Sequence, residues 1–164
     1  MRSTSEGAPF DRSTAEFLDG GRALIMGTVS RDGQPRAMRC WGATVLAGGP
    51  ALRVVIDAAE AASIEHCAAG GPIALTATDV PTLRSLQLKG RAAGVEPATE
   101  ADRVRAERYC KDFFDDIQAT DGTARTLLER LVPPDYAVVV VTIEELFDQT
   151  PGPDAGAPLR SGWA

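Results

Sequence analysis

The stretch Thr82-Leu-Arg-Ser-Leu-Gln-Leu-Lys-Gly-Arg91 carries a strand pattern around which the other elements can be ordered. With a period of two residues, Leu86 and Leu88 fall on one side of the strand. The opposite side collects the polar side chains Ser85, Gln87, Lys89 and Arg91. Gly90 interrupts the run, as glycine does at a bulge or a close backbone approach. The pattern predicts a strand whose polar face meets either solvent at a sheet edge or, through Gln87 and Lys89, an anionic ligand.

Five further apolar runs predict strands on both sides of this stretch. They cover residues 23–30, 35–46, 51–56, 72–78 and 136–143. Asp32-Gly33 joins the first two as a hairpin, because both residues tolerate positive φ. Short strands joined by hairpin turns favour a closed sheet, and the fully apolar last run is typical of a strand buried on both faces. We therefore expect a mainly β fold with helices: a six-stranded antiparallel barrel that the last strand closes by pairing with an early one.

Helix signals separate these strands. Ser13 and Glu16 match a capping box for a short first helix, and residues 57–60 resemble a second capping box for the helix that follows the third strand. Residues 99–102 begin a longer helix with an apolar stripe. The stripe comprises Val104, Tyr109, Cys110, Phe113, Phe114 and Ile117. A fourth helix, over residues 124–131, ends before a pair of prolines.

The length of 164 residues fits one domain. We expect a flexible leader over residues 1–11, the domain over 12–148, and a tail or dimer arm over 149–164. The formal net charge of −6 disfavours nucleic-acid binding, which calls for a basic surface. No apolar run is long enough to cross a bilayer, and the first residues lack the apolar core of a signal peptide. A cytoplasmic protein without a membrane partner is expected.

The sequence lacks the motifs of several enzyme classes, namely the dinucleotide fingerprint, the P-loop and the nucleophile elbow. Its sole histidine, His66, neighbours Cys67. Adjacent helical residues point about 100° apart, so these two cannot form a nucleophile pair, and His66 is expected on a helix surface. Cys40, Cys67 and Cys110 have no metal-ligand spacing and are expected to be reduced, buried thiols. No catalytic residue and no metal site is indicated.

Two arginines on the second strand are candidates for ligand binding. By period two, Arg39 shares a face with Trp41, while Arg36 shares the opposite face with Met38 and Cys40. An arginine among apolar neighbours needs a partner, because a buried unpaired charge is costly. That partner is either a carboxylate or a phosphate, which the guanidinium fork matches well.

Together these features resemble the FMN-binding split barrels related to pyridoxamine 5′-phosphate oxidase. The resemblance rests on the hairpin Gly27-Thr-Val-Ser-Arg-Asp-Gly33, the strand Pro35-Arg-Ala-Met-Arg39 and the short helix after the third strand. Its best local signature is Leu86-Gln-Leu-Lys-Gly-Arg91, and it extends over residues 17–143.

The resemblance implies a six-stranded split β-barrel, a homodimer, and FMN in a cleft between the protomers. It places Arg36 and Arg39 at the flavin phosphate, with Trp41 close by. It places Ser85 and Gln87 beside the flavin, with Lys89 as a charge near the flavin or the substrate. Ser63, in the helix after the third strand, is a further hydrogen-bond donor for the cofactor.

The chain departs from that family at the start of this helix. The family's flavin binders place a hydroxyl and a basic residue there, whereas this chain has Asp57-Ala-Ala-Glu-Ala-Ala-Ser63. Two carboxylates repel a phosphate, although backbone amides at the helix start attract one. Two functions therefore stay open: an FMN-dependent oxidoreductase acting on a small molecule, and a non-catalytic binding or sensing module that holds a deazaflavin, haem, or no cofactor.

Overall fold

The computed structural model describes residues 10–161 and shows a closed antiparallel barrel. Its strands are β1 (Ala23–Val29), β2 (Pro35–Val45), β3 (Ala51–Asp57), β4 (Pro72–Thr78), β5 (Ser85–Pro97) and β6 (Tyr136–Asp148). The order β3-β2-β1-β4-β5-β6 is closed by pairing between β3 and β6. The predicted six-stranded barrel, with its last long strand as the closing one, is confirmed.

A short seventh strand, β7 (Pro158–Ser161), pairs with the end of β6 and lies outside the six-stranded ring. Phe10, just before the first helix, is buried at 5% exposure. Residues 1–9 and 162–164 lie outside the described residues, and with them most of the predicted leader and the end of the predicted tail. The boundaries of these segments stay predictions.

Four α-helices connect the strands. They are α1 (Arg12–Asp19), α2 (Ala61–Ala68), α3 (Glu100–Asp121) and α4 (Arg125–Leu128), and a 3₁₀ turn, Glu129–Leu131, continues the last. The predicted cap of α1 is wrong: the Asp11 carboxylate accepts from the Thr14 amide at 2.6 Å, and Glu16 pairs with Arg12 at 2.7 Å. Asp11 directly precedes the helix, so its carboxylate can accept from a free amide of the first turn. Ser13 lies inside the helix and is not placed to do so. Within the described residues, none of the helices has the length and apolarity needed to cross a membrane.

The predicted start of α2 is also wrong in its detail. Glu60 is the N-cap residue but makes no side-chain capping bond, and the Asp57 carboxylate accepts from the Ala59 amide at 2.8 Å. Helix α3 begins where the sequence predicted, and Thr99 and Asp102 form a capping box there.

The apolar stripe of α3 is confirmed at Tyr109, Phe113 and Phe114, which are buried. Val104 is 56% exposed, so its inclusion in the stripe was wrong. Asp102 and Ala106 define the buried side of the first turns, and Val104 lies midway between them, on the opposite side of the helix.

The period-two alternation predicted for residues 82–91 is confirmed at Leu86 and Leu88. Leu86 and Leu88 point into the barrel and are buried, at 3% and 0% exposure. The register shifts between Lys89 and Gly90. A Cβ on Gly90 would lie 1.9 Å from the carbonyl oxygen of Thr142, so only glycine allows β5 and β6 to approach this closely. Both the bulge and the close approach predicted at Gly90 are present.

Helix α3 covers the outer surface of β2 and β3, which we call the covered side. Arg53 of β3 holds the start of α3 through two bonds to the Asp102 carboxylate, at 2.7 and 2.8 Å. These bonds lower the pKa of Asp102 well below its usual range. Further along, the Tyr109 hydroxyl donates to the Arg22 carbonyl at 2.7 Å, and Arg105 donates to the carbonyl of Ala43 at 2.8 Å.

Candidate functional site

The outer surface of the barrel carries a row of side chains from five strands in register, beginning on β2 at the edge of the covered side. Ile25 lies opposite Arg39 on one side and Thr76 on the other. Thr76 lies opposite Gln87, which lies opposite Phe147. Neighbouring strands are about 4.8 Å apart, so the row spans about 14 Å from Arg39 to Gln87. Two of the residues predicted to contact a cofactor therefore lie on one continuous surface.

The next row across the same strands is made mostly of small residues. Gly27 lies opposite Ala37 and Ala74, and Ala74 lies opposite Lys89. In the single chain, Ile25 is 42% exposed and Gly27, Ala74 and Thr76 are half-buried. We call this surface the open face and define it by Ile25, Gly27, Ala74, Thr76 and Gln87. A flat floor without bulky side chains can receive a planar ring.

Polar groups border the open face along β5. The Gln87 amide nitrogen donates to the Thr76 hydroxyl at 3.2 Å, and the Gln149 amide makes a long bond of 3.5 Å to the Gln87 oxygen. The Lys89 ammonium lies 4.6 Å from the centroid of the Phe147 ring. Thr76 and Gln87 thus present adjustable donors and acceptors, and Lys89 adds a positive charge at the rim.

Ser85 differs from Gln87 although both lie on the same side of β5. It is 5% exposed, and its hydroxyl is within 2.9 Å of both the Thr78 hydroxyl and the Leu83 carbonyl. Its amide donates to the Thr150 hydroxyl at 3.0 Å. These bonds anchor the start of β5 and leave Ser85 as a support for the open face rather than a contact surface.

The two arginines of β2 lie on opposite faces, as their odd spacing predicts. Arg39 is on the outer surface, with its guanidinium carbon 5.4 Å from the centroid of the Phe113 ring. Arg36 pairs with Glu60 at the start of α2, at 3.2 Å. The partner that the sequence required is therefore an aromatic ring for Arg39 and a carboxylate for Arg36. Trp41, which shares the outer face with Arg39, is only 3% exposed.

The start of α2 does not fit a phosphate group. Its charged residues are Asp57 and Glu60, both half-buried, and Glu60 already neutralises Arg36. Ser63 is fully buried, and its hydroxyl has no hydrogen-bond partner in the described part of the chain. One unpartnered hydroxyl beside two carboxylates is a poor site for a phosphate dianion. The open face suits an anionic group better, because Arg39 beside it has no carboxylate partner among the described residues.

The thiols show no sign of nucleophilic activation. Cys40 and Cys67 are buried and Cys110 is half-buried, and all three are free. Burial raises the pKa of Cys67 to about 11 and that of Cys110 to about 11, and it raises the pKa of Cys40 further. These thiols stay protonated at neutral pH, as the sequence predicted for small buried side chains.

His66 is not the solvated surface residue that the sequence predicted. It is half-buried, and its Nδ1 lies 2.9 Å from the hydroxyl of Thr28, which is 4% exposed. His66 also lines a cleft between the β1–β2 hairpin, the end of α2 and β5. The sequence analysis missed this cleft, because its residues come from four segments that share no motif. One signal was available in the sequence. By period two, Thr28 lies on the inward side of β1, and a buried hydroxyl there requires a polar partner.

Comparison with known proteins supports the fold. No protein-family model matches the chain, and no curated protein matches it significantly. Among solved structures, a candidate pyridoxamine 5′-phosphate oxidase from Lactobacillus delbrueckii is 20% identical with a TM-score of 0.51, covering 87% of this chain and 97% of that one. HupZ of group A Streptococcus is 14% identical with a TM-score of 0.53, covering 90% and 99% of the two chains.

An F420 reductase is 19% identical with a TM-score of 0.53, covering 85% of this chain and 98% of that one. At these identities the similarity establishes a shared fold. The predicted split barrel, and the resemblance of its structure to pyridoxamine 5′-phosphate oxidase-like proteins, are confirmed.

Proposed function

We propose that the open face binds a flavin-type cofactor between two copies of the chain, and that the protein is a cytoplasmic flavin-dependent oxidoreductase acting on a small molecule. The observation that carries the proposal is the register row from Arg39 through Ile25 and Thr76 to Gln87. Together with the small residues beside it, this row combines the apolar side chain of Ile25, the hydrogen-bonding pair of Thr76 and Gln87, and a cation, Arg39, that has no carboxylate partner among the described residues. FMN is the first candidate cofactor, and the fold shared with an F420 reductase makes a deazaflavin the second.

Each residue of the open face has a role in this proposal. Thr76 and Gln87 bind the polar edge of the ring, and Ile25 packs against its plane. Arg39 and Lys89 supply positive charge for the anionic part of the cofactor or for the substrate. When bound, a flavin supplies hydride or electron transfer, while the protein positions it and tunes its surroundings. Ser63 and Trp41 support the surrounding structure, since both are buried.

A homodimer completes the site in this proposal. The open face presents Ile25 at 42% exposure in the middle of a surface of small side chains. A second copy would bury this apolar floor and would exclude water from a ring bound on it. The cofactor would then lie between protomers, as the resemblance implies.

A second candidate function rests on the Arg36–Glu60 ion pair. Because the helix start that would hold a phosphate carries carboxylates instead, the barrel suits a binding or sensing module that holds a cofactor without a phosphate at this position, or none. This candidate predicts a dimer that forms without flavin and shows no turnover with FMN added.

An absorption spectrum of the purified protein separates the two candidates. The oxidoreductase proposal predicts flavin absorption bands in the protein as purified. Alternatively, added FMN or deazaflavin should bind saturably and co-elute with the protein on gel filtration. A colourless protein that binds neither cofactor would contradict the oxidoreductase proposal and favour the binding or sensing module.

A further inference from the structure

A cleft at the end of the barrel lies beyond the open face, one row of side chains further along β1, β4 and β5. It has a volume of about 660 Å³ and is formed by the β1–β2 hairpin, the last turn of α2 and the middle of β5. Its polar lining comprises Ser30, Arg31, Asp32, Glu65, His66 and Arg91. This volume is within the usual range of about 300–1,000 Å³ for small-molecule sites.

Gly71 allows the segments that form this cleft to pack closely against one another. A Cβ on Gly71 would lie 2.8 Å from the His66 carbonyl oxygen and 3.5 Å from that of Val29. The Gly71 carbonyl also accepts from the Ala92 amide at 3.0 Å. The end of α2, the end of β1 and strand β5 are therefore locked together, so the cleft is preformed rather than opened by a ligand.

Two arginines in the cleft lack the partners that other basic residues have. Within residues 10–159, every lysine and arginine except Arg31, Arg91 and Arg130 has a carboxylate or an aromatic ring against it. Two of these three line the same cleft. Both residues are exposed, so their guanidiniums are solvated and accessible to a ligand in the cleft.

His66 adds a third group that can donate a hydrogen bond. Its Nδ1 is engaged by the buried Thr28 hydroxyl at 2.9 Å. The other ring nitrogen, Nε2, lies on the opposite edge of the imidazole and is left for the cleft that His66 lines. When the Thr28 hydroxyl donates to Nδ1, Nε2 carries the proton and donates into the cleft.

We propose that this cleft binds a small organic anion through one carboxylate or phosphate group held by Arg31, Arg91 and His66 Nε2. Guanidinium forks match both groups. Asp32 and Glu65 on the same lining limit the ligand to a single compact anionic group, because a polyanion would meet their repulsion. Asp32 is itself held by the Ser30 hydroxyl.

This site is distinct from the proposed flavin site. The Arg36–Glu60 pair lies at the N-terminal end of α2, whereas Glu65 and His66 lie in its C-terminal half. None of the residues that define the open face lines the cleft. Loss of anion binding in the cleft and loss of flavin binding on the open face can therefore be measured separately.

The test uses the fact that the chain has one histidine, so its imidazole signals in NMR belong to His66 without further assignment. Untagged protein is titrated with inorganic phosphate in one arm and with propionate, which carries a single carboxylate, in the other, each against sodium chloride at matched ionic strength. We expect a saturable shift of the His66 ring signals with at least one anion and none with chloride. The arm that saturates at lower concentration identifies the preferred group.

Variants assign the shift to the arginines. The double variant Arg31→Gln/Arg91→Gln should weaken anion binding at least 10-fold, whereas Arg130→Gln, which changes an unpaired arginine outside the cleft, should leave it unchanged. The proposal is overturned if neither anion gives a saturable shift, if chloride gives the same shift, or if the double variant binds as well as the wild type.

Discussion

The covered side and the open face are two parts of one barrel surface that satisfy their polar groups in different ways. On the covered side, Arg53 and Asp102 are 21% and 8% exposed and bond to each other at 2.7 Å. On the open face, Ile25 is 42% exposed, and within residues 10–161 the side chains of Thr76 and Gln87 bond to each other and to Gln149. Helix α3 packs on the covered side, whereas no helix of the described residues packs on the open face.

This difference separates residues that hold the fold from residues that are available for binding. Substitutions on the covered side should change the free energy of unfolding and leave binding intact in the molecules that fold. Substitutions on the open face should do the reverse, because their contacts within the chain are few.

The largest expected effect is the loss of stability in Asp102→Ala. The change removes the buried partner of Arg53 and the capping box of α3 together. Because it deletes two charge-assisted hydrogen bonds and a helix cap and leaves Arg53 with the exposed Glu96, we expect a loss of about 3 kcal/mol in the free energy of unfolding, measured by urea denaturation. Glu96→Ala is the matched control, since Glu96 also contacts Arg53 but is 52% exposed, and it should cost below about 1 kcal/mol. Equal losses in both variants would show that α3 is not held through Asp102.

The next effect concerns assembly. Ile25→Arg places a charge at the centre of the open face, where a second copy would have to bury it. Burying an unpaired charge costs several kcal/mol, so we expect the dimer dissociation constant to rise on the order of 10²-fold, measured by analytical ultracentrifugation. Val104→Arg changes an apolar residue of similar exposure, 56%, on α3 and should leave assembly unchanged. An unaltered dimer in Ile25→Arg would place the interface elsewhere.

A smaller effect should follow from releasing Arg36. Glu60→Gln removes the carboxylate that pairs with Arg36 at 3.2 Å, and Arg36 is half exposed. Because Arg36 lies on the face opposite Arg39, away from the open face, we expect the affinity for FMN to stay unchanged and the free energy of unfolding to fall by less than about 1 kcal/mol, in line with the modest strength of an exposed ion pair. FMN titration and urea denaturation measure the two effects. Riboflavin, which lacks the phosphate, serves as the matched ligand. Tighter binding of FMN but not of riboflavin would show that Arg36, rather than Arg39, meets the phosphate.

The sequence predicted the barrel well because its strands are distinct apolar or alternating runs separated by marked turns. Leu86, Leu88 and Gly90 each behave as their spacing and type required. The cap of α1 and the exposure of Val104 were mispredicted, because several residues near each helix start fit the same short-range pattern and only packing selects among them.

The site was harder to predict than the fold. Period two placed Arg36 and Arg39 on opposite faces, which the structure confirms, but no spacing rule could reveal that Glu60 neutralises Arg36 across 24 residues of chain. Gln87 and Thr76 meet only because β4 pairs with β5 in one particular register. The cleft lined by His66 is formed by four segments that meet around Gly71, so no single stretch of sequence indicated it.

The central claim is that the open face, through Gln87, holds the cofactor. The most direct test is the FMN dissociation constant from quenching of flavin fluorescence, compared between the wild type, Gln87→Leu and the control Gln34→Leu on the exposed hairpin. Loss of the hydrogen bonds made by one amide side chain predicts about 10-fold weaker binding for Gln87→Leu and no change for Gln34→Leu. Unchanged affinity in Gln87→Leu would contradict the account.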